Sequence, residues 1–514
     1  MPNDVERLLR DLEEAKRLRP DGGRARRALA RLRRVRFDDA ATLARFHEAA
    51  LFLRAYPHTL AVREAAERAL ASVPKRVARL ARQGADLSTL DSPELSGIAG
   101  TSVTTDYSYD VVRFLAERFP RAVAIDWDEH EETDRLRALW PRFLPLLEEE
   151  ALEDANVPYV EWLRAGQPRR GRDLPWLLDR IAGVPAPEEE KAERFDALGL
   201  RIRWDLSRFD ATRTGQRWGG GATFTHDTPL LSRRDVSLER EVSGPPMPLS
   251  RLSPGRAAAA VAMTRTATAL RYREYYGFTY ADAGNVARAR AGRGLEILFF
   301  GLPPDRRLPL RAGFAAFLVK NRVPIGYVEA LAFFERVEIG FNVYYTFREG
   351  ESAWIFGRVA KLLFQVLGAR SLSIDPYQVG HENEEAIGSG AFWFYRKLGF
   401  RPTDSNVLRL VEREEARMAR RPAHRTSPAA LRKLATSNLI YGSGAWDRFH
   451  VRNIGLAVNR RMARFYGGDT RRARRGAAQR VARIVGVRPD DWTEEEQKAF
   501  ENLSLVLDLI PDLP

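Results

Sequence analysis

The sequence predicts an α/β fold in which a strand-rich centre is flanked by α-helical regions. Three observations carry that expectation. Apolar residues recur at helical spacing through the first 164 residues and again beyond Val411. Between them lie four runs of strand character: Leu295 to Phe300, Arg311 to Lys320, Ile325 to Phe333 and Val337 to Phe347. A tight loop, a helix, a short strand and a second helix then follow up to Pro402. At 514 residues the chain exceeds the roughly 250–300 at which a single core stops growing, so several domains are expected.

From about Val5 to Gln83, positions such as Leu43, Phe46, Ala50, Leu53 and Tyr56, then Val62, Ala65 and Leu70, mark packed helices. Tyr107 to Arg164 continues with Val111, Val112, Phe114 and Leu115, then Leu136, Trp140, Phe143, Leu146 and Trp162. Pro141, Pro145 and Pro158 start or end helices there. Residues 1–164 therefore read as one α-helical domain. Over 165–249 the periodicity fades, and Gly219-Gly220-Gly221 and Pro245-Pro246 appear among many Arg, Asp and Thr residues. This reads as an irregular connector with a short strand near Leu200 to Leu206. Region 250–410 opens on a helix, Arg256 to Tyr276, and holds the strands. Asn321-Arg322 predicts a hairpin turn between two of them, without the glycine such turns favour. Region 411–514 reads as basic helices, ending in Trp492 to Leu509.

Hydrophobic content of 44% with 10% aromatics marks a globular chain. The longest apolar run, Leu295 to Phe300, is strand-sized and far short of the ~18 residues of a membrane span. The first 36 residues alternate Arg, Leu and Glu without an apolar core, so no secretory or lipidation signal is read and a cytoplasmic protein is expected. Zero cysteines exclude disulfides, thiol catalysis and cysteine-based zinc sites. The formal charge is +14, and Val451 to Ile484 carries ten Arg against Asp469. Such a stripe suits nucleic acid, an anionic lipid or an acidic partner. With no RNA- or DNA-binding motif beside it, a solvated helix face is the favoured reading.

The chemistry concentrates between Val337 and Phe400. On the strand, Val337, Ile339, Phe341, Val343 and Tyr345 face one side, and Glu338, Gly340, Asn342 and Tyr344 the other. The loop Phe347-Arg348-Glu349-Gly350-Glu351-Ser352-Ala353 follows. A helix with an apolar stripe of Ile355, Val359, Leu362, Leu363, Val366 and Leu367 then ends at Gly368. Backbone N–H groups at such a helix start are suited to an anion. The short strand Leu372 to Asp375 comes next, then a helix packed through Phe392, Trp393, Tyr395 and Leu398. His381-Glu382 lies in a loop with no second histidine nearby to complete a ligand set, so no metal is expected.

The element order, the loop and the closing string Tyr395, Lys397, Gly399 and Phe400 resemble the acyl-CoA-binding half of the GNAT superfamily of N-acetyltransferases, over about residues 256–410. The resemblance implies a mixed sheet whose second strand diverges from the first, exposing backbone to the pantetheine arm and acyl carbonyl. By it, Phe341, Asn342 and Val343 line the pantetheine, and Arg348, Glu349, Gly350, Glu351, Ser352 and Ala353 hold the diphosphate. Glu338 stands where some members carry a general base, and Tyr395 where many carry the general acid; Glu329 and Glu382 are the alternative bases. The family loop usually has Gln or Arg followed by Arg-Gly-x-Gly or Arg-Gly-x-Ala, whereas here Glu349 and Glu351 flank Gly350. The Asn expected seven residues before the Tyr is Gly388, and Asn383 stands five residues earlier as the substitute contact. The implied activity is acyl transfer from acetyl-CoA or another acyl-CoA, as co-substrate, to an amine on a small molecule or a protein. The alternative is a catalytically degenerate GNAT-like scaffold whose basic C-terminal region binds a partner.

Overall fold

The computed structural model describes residues 2–17, 22–143, 154–169, 171–308, 310–442 and 451–513. Pro145 and Leu146, expected in helices, lie outside them, as do residues 443–450 of the basic C-terminal region. The fold is mixed α/β. Its centre is a nine-stranded sheet built from β4 (Leu249–Arg251), β5 (Val286–Gly292), β6 (Leu295–Phe300), β7 (Ala312–Lys320), β8 (Val323–Phe333), β9 (Arg336–Val343), β10 (Ser371–Ile374), β11 (Arg401–Pro402) and β12 (Leu439–Gly442). The order is β11-β12-β10-β9-β8-β7-β6-β5-β4, antiparallel except for the β9/β10 pair. Parallel neighbours require a crossover, and the helix Ser352–Leu367 supplies it. This helix ends at Gly368, whose φ of +63° is the left-handed cap that glycine provides without a Cβ clash.

The β7–β8 hairpin turns at Asn321 and Arg322, both at positive φ (+46° and +72°), which is the backbone of a type I′ turn. No glycine is needed because the Asn321 amide is held on three sides. It donates to the carbonyls of Ala55 (2.8 Å) and Phe224 (2.9 Å) and accepts from the Phe224 N–H (2.8 Å). Hydrogen bonds to the helix Ala40–Ala55 and to the loop at Phe224 thus hold the hairpin.

The boundaries differ from those read in the sequence. The helices Pro2–Arg17, Gly22–Leu32, Ala40–Ala55, Leu60–Leu70 and Val73–Arg82 do not close on themselves. Their apolar residues join one hydrophobic core with the central sheet. A second core is built from residues between Val103 and Ala211, joined by Ala269 and Leu270. It holds a three-stranded antiparallel sheet, β1-β3-β2, from β1 (Ser102–Thr105), β2 (Val123–Ile125) and β3 (Ile202–Asp205). The expected irregular connector therefore contains the helices Asp173–Ala182 and Glu188–Asp196 and the strand β3, all packed into this core. The central sheet likewise runs past residue 410, because β12 inserts between β10 and β11. The last helices, Val451–Tyr466, Thr470–Val485 and Glu494–Leu507, contribute to neither core. Among the described residues no helix is long and apolar enough to cross a membrane.

Candidate functional site

The β9/β10 pairing lasts three residues, Arg336 to Glu338 opposite Ser371 to Ser373. Past that point β9 continues to Val343 against β8 alone, while β10 stops at Ile374. Asp375 accepts the Tyr377 N–H (2.9 Å) and turns the chain into the short helix Pro376–Val379. The sheet opens there, and alternate backbone N–H and C=O groups of the outer half of β9 are left without a strand partner. A cleft of about 460 Å³ occupies the opening. Its walls are Gly340 to Val343 on β9, Tyr275, Tyr327 and Glu329 on one side, Arg348 and Ser352 at the loop, and Asn383, Glu385, Phe394 and Tyr395 opposite.

Several residues singled out in the sequence meet at this cleft. Phe341 lies edge-on to Phe356 (5.2 Å) and parallel to Phe394 (6.3 Å), and it lines the cleft beside Asn342 and Val343. Ser352 opens the helix at the cleft edge, its Oγ donating to the Arg348 carbonyl (3.2 Å). The Arg348 guanidinium lies 3.8 Å from the Tyr345 ring centroid and pairs with Glu385 at the mouth. Asn383 caps the helix Glu384–Ser389: its Oδ1 accepts the Ala386 N–H (3.1 Å) and its Nδ2 donates to the Tyr377 carbonyl (3.0 Å). Tyr395 is 3% exposed, with its ring packed on Phe356, Phe394 and Phe400. Burial pushes its phenol well above the usual tyrosine range. Its hydroxyl makes no hydrogen bond among the described residues.

Other residues of the loop do not line this cleft. Glu349 lines a separate cleft of about 780 Å³, together with Glu13, Glu14, Glu48 and Glu94. Gly350 packs on Tyr56: a Cβ there would stand 2.7 Å from both the ring carbon Cζ and the hydroxyl. The glycine serves a helix contact, where ligand approach was the sequence-based explanation. Ala353 is buried in the core. Glu351 is fully buried and bonded to Lys320 (2.9 Å) and Arg293 (2.5 Å), and it accepts the Leu231 N–H (3.2 Å). Burial alone would raise its pKa, but the two cations hold it below the usual carboxylate range. Lys320, with one carboxylate to share and Arg293 repelling it, is lowered by burial to about 8. The acidic pair flanking Gly350 thus turns away from the cleft, and Glu351 is neutralised.

Glu338 sits beside the closed part of the β9/β10 pair, bonded to Arg311 at 3.3 Å, and does not line the cleft. Glu329 does. It stands directly opposite Gly340 on the neighbouring strand, and its Cβ and the Gln378 amide both come within 4 Å of where a Cβ on that glycine would stand. Burial raises its pKa, and no cation pairs with it among the described residues. Tyr275 and Tyr327 touch through their hydroxyls beside it, and burial lifts Tyr275 to about 12. The signal in the sequence was one acid at the centre of the otherwise apolar run Val323 to Phe333. Glu382 adopts a positive φ of +54° in the turn after Gly380, and does not line the cleft. Among the described residues, no cluster of His, Cys, Asp or Glu is arranged to hold a metal ion. No protein-family profile, curated protein or solved structure matches this chain.

Proposed function

We propose that the chain transfers an acyl group from an acyl-CoA to an amine, in the manner of the GNAT superfamily that residues 256–410 resemble. The observation that supports this reading is the cleft formed where β9 outruns β10, with the start of the helix Ser352–Leu367 at one edge. The pantetheine arm would lie along the unpartnered edge of β9 and hydrogen-bond its backbone. The diphosphate would meet the first-turn N–H groups at Ser352 and the Arg348 guanidinium, in exchange for Glu385. The amine attacks the thioester carbonyl, the C–N bond forms and the C–S bond breaks. Glu329 takes the proton released from nitrogen, and the Tyr395 hydroxyl protonates the departing thiolate. A carboxyl whose pKa is raised by burial is a stronger base than an ordinary one, which favours Glu329 over the ion-paired Glu338.

The test is thermal unfolding with acetyl-CoA and longer acyl-CoAs. A ligand bound only to the folded chain stabilises it by about 2.7 kcal/mol at a hundredfold excess over its Kd. No shift with any acyl-CoA overturns the proposal. A second reading, a non-catalytic acyl-CoA-binding scaffold, draws on the Arg348–Glu385 pair, which closes the mouth of the cleft. A thermal shift without acyl-CoA turnover against a panel of amines would establish it instead.

A further inference from the structure

The segment 451–485 holds ten Arg and one acid, so nine of the chain's fourteen excess positive charges lie in these 35 residues. They form two helices, Val451–Tyr466 and Thr470–Val485, that pack with Glu494–Leu507 into a unit of their own. Ala473, Ala477 and Val481 are buried within it and belong to neither hydrophobic core. Its arginines sort into two sets. Arg461 and Arg480 converge on Asp508, which is 3% exposed, and Arg474 donates to Asn502; these hold the helices together. Arg460, Arg464, Arg471, Arg472, Arg475 and Arg483 are exposed and have no acidic partner among the described residues.

The second set is ordered along the helices. Arg471, Arg475 and Arg483 fall in one row of four-residue steps with Gln479, each step about 6 Å of helix rise. Five of the unit's acids, Asp490, Asp491, Glu494, Glu495 and Glu496, gather at the start of the third helix, and Asp469 caps the second basic helix. In the last turn of the first basic helix stands Phe465, 55% exposed, with the Arg461 and Arg464 guanidiniums 4.8 and 5.2 Å from its ring centroid.

We infer that this unit binds the phosphate backbone of nucleic acid, with Phe465 available to stack on an unpaired base. Arginine is the cation suited to the role, being planar, permanently charged and able to clasp phosphate oxygens two at a time. A membrane surface fits less well, because the exposed apolar residues Leu456, Phe465 and Val485 are scattered and form no continuous face. The inference is independent of acyl transfer, and its test contains no acyl-CoA.

The experiment is fluorescence anisotropy with the full chain, using a labelled single-stranded RNA and a labelled DNA duplex over a salt series from about 50 to 200 mM. Binding that weakens steeply with salt is expected. The triple variant Arg471→Gln, Arg475→Gln, Arg483→Gln should lower affinity tenfold or more and make the log–log salt slope shallower by roughly 2 to 3. Arg460→Gln with Arg464→Gln gives a second measurement on the neighbouring helix, and circular dichroism confirms that each variant folds. Phe465→Ala should weaken RNA more than duplex. No binding at low salt, or affinity and slope unchanged in both Arg variants, overturns the inference. Binding to phosphatidylserine–phosphatidylcholine vesicles without binding to either nucleic acid does so as well, and assigns the surface to membrane.

Discussion

Glu351→Gln removes one charge from a buried site without changing its shape, and its cost follows from what stays behind. Lys320 and Arg293 both lean on this carboxylate, and the Lys320 side chain is wholly inaccessible. Removing one partner of a buried pair costs about 3–5 kcal/mol, since the remaining charge keeps its desolvation penalty. Lys320 already carries such a penalty. Its fall from 10.5 to about 8 corresponds to about 3 kcal/mol for holding the ammonium in place. Because the folded value lies below the unfolded one, that cost is present below pH 8 and is relieved as the pH rises toward 10.5. Glu351 is also depressed on folding, so the stability it contributes is present above its unfolded value of 4.5 and is lost as pH falls below it. Amide hydrogen exchange in β7 and in the helix Ser352–Leu367 is the assay, because it reads the free energy of opening locally. At pH 7 the variant should lose about 3–5 kcal/mol of protection there, and its acid limb should flatten. Pairing it with Lys320→Met should restore most of the loss. A change below about 1 kcal/mol in Glu351→Gln, or a double variant no better than the single, would refute this account of the loop's anchor.

Three further outcomes follow from the cleft and its loop. Tyr395→Phe should reduce acyl transfer in single-turnover measurements while leaving urea unfolding within about 0.5 kcal/mol of the parent, because the lost hydroxyl makes no internal hydrogen bond; a stability loss with unchanged turnover would make it plain core. Glu329→Gln should cut turnover by about 10²–10⁴-fold. It should also raise the melting temperature progressively as pH increases from 4 to 7, since a raised folded pKa means the parent loses stability as that carboxyl ionises; a pH-independent difference would contradict its burial. Gly350→Ala should destabilise by about 1–3 kcal/mol through collision with Tyr56, leaving acyl-CoA affinity per folded molecule unchanged in calorimetric titration.

Strands β6 to β9 were legible because alternation and β-branched residues act within a few positions of one another, and so was the helix ending at Gly368. The loop after β9 was legible as a backbone shape only. Which way Glu351 points depends on Lys320 and Arg293, residues far away in sequence. Strand β12 pairs with β10 across 64 or more intervening residues and spans four positions, too short for periodicity to register. The helix Ala40–Ala55 was legible from apolar residues at helical spacing, yet Arg54 and His47 are buried along with them. Arg54 donates to the Thr214 carbonyl (2.6 Å), and a His47 ring nitrogen lies 3.0 Å from the Thr214 hydroxyl. Thr214 lies about 160 residues away in sequence, so nothing near these positions signals that their side chains are buried.

The shared core has a consequence for how the chain is made. Leu8 to Ile98 pack with Trp218 to Leu439, and the second core, built between Val103 and Ala211 and completed by Ala269 and Leu270, is nested inside that span of sequence. On the ribosome the inner unit is finished first, while the helices that precede it still lack the sheet they are to cover. About 225 residues separate Ile98 from Val323, where β8 begins, which at about 5–20 residues per second is roughly 11–45 s in which these helices lack the sheet. The amino-terminal helices are the segment a chaperone would meet longest, and a stall in translation before β8 would leave the helix Ala40–Ala55 without the strand it packs on.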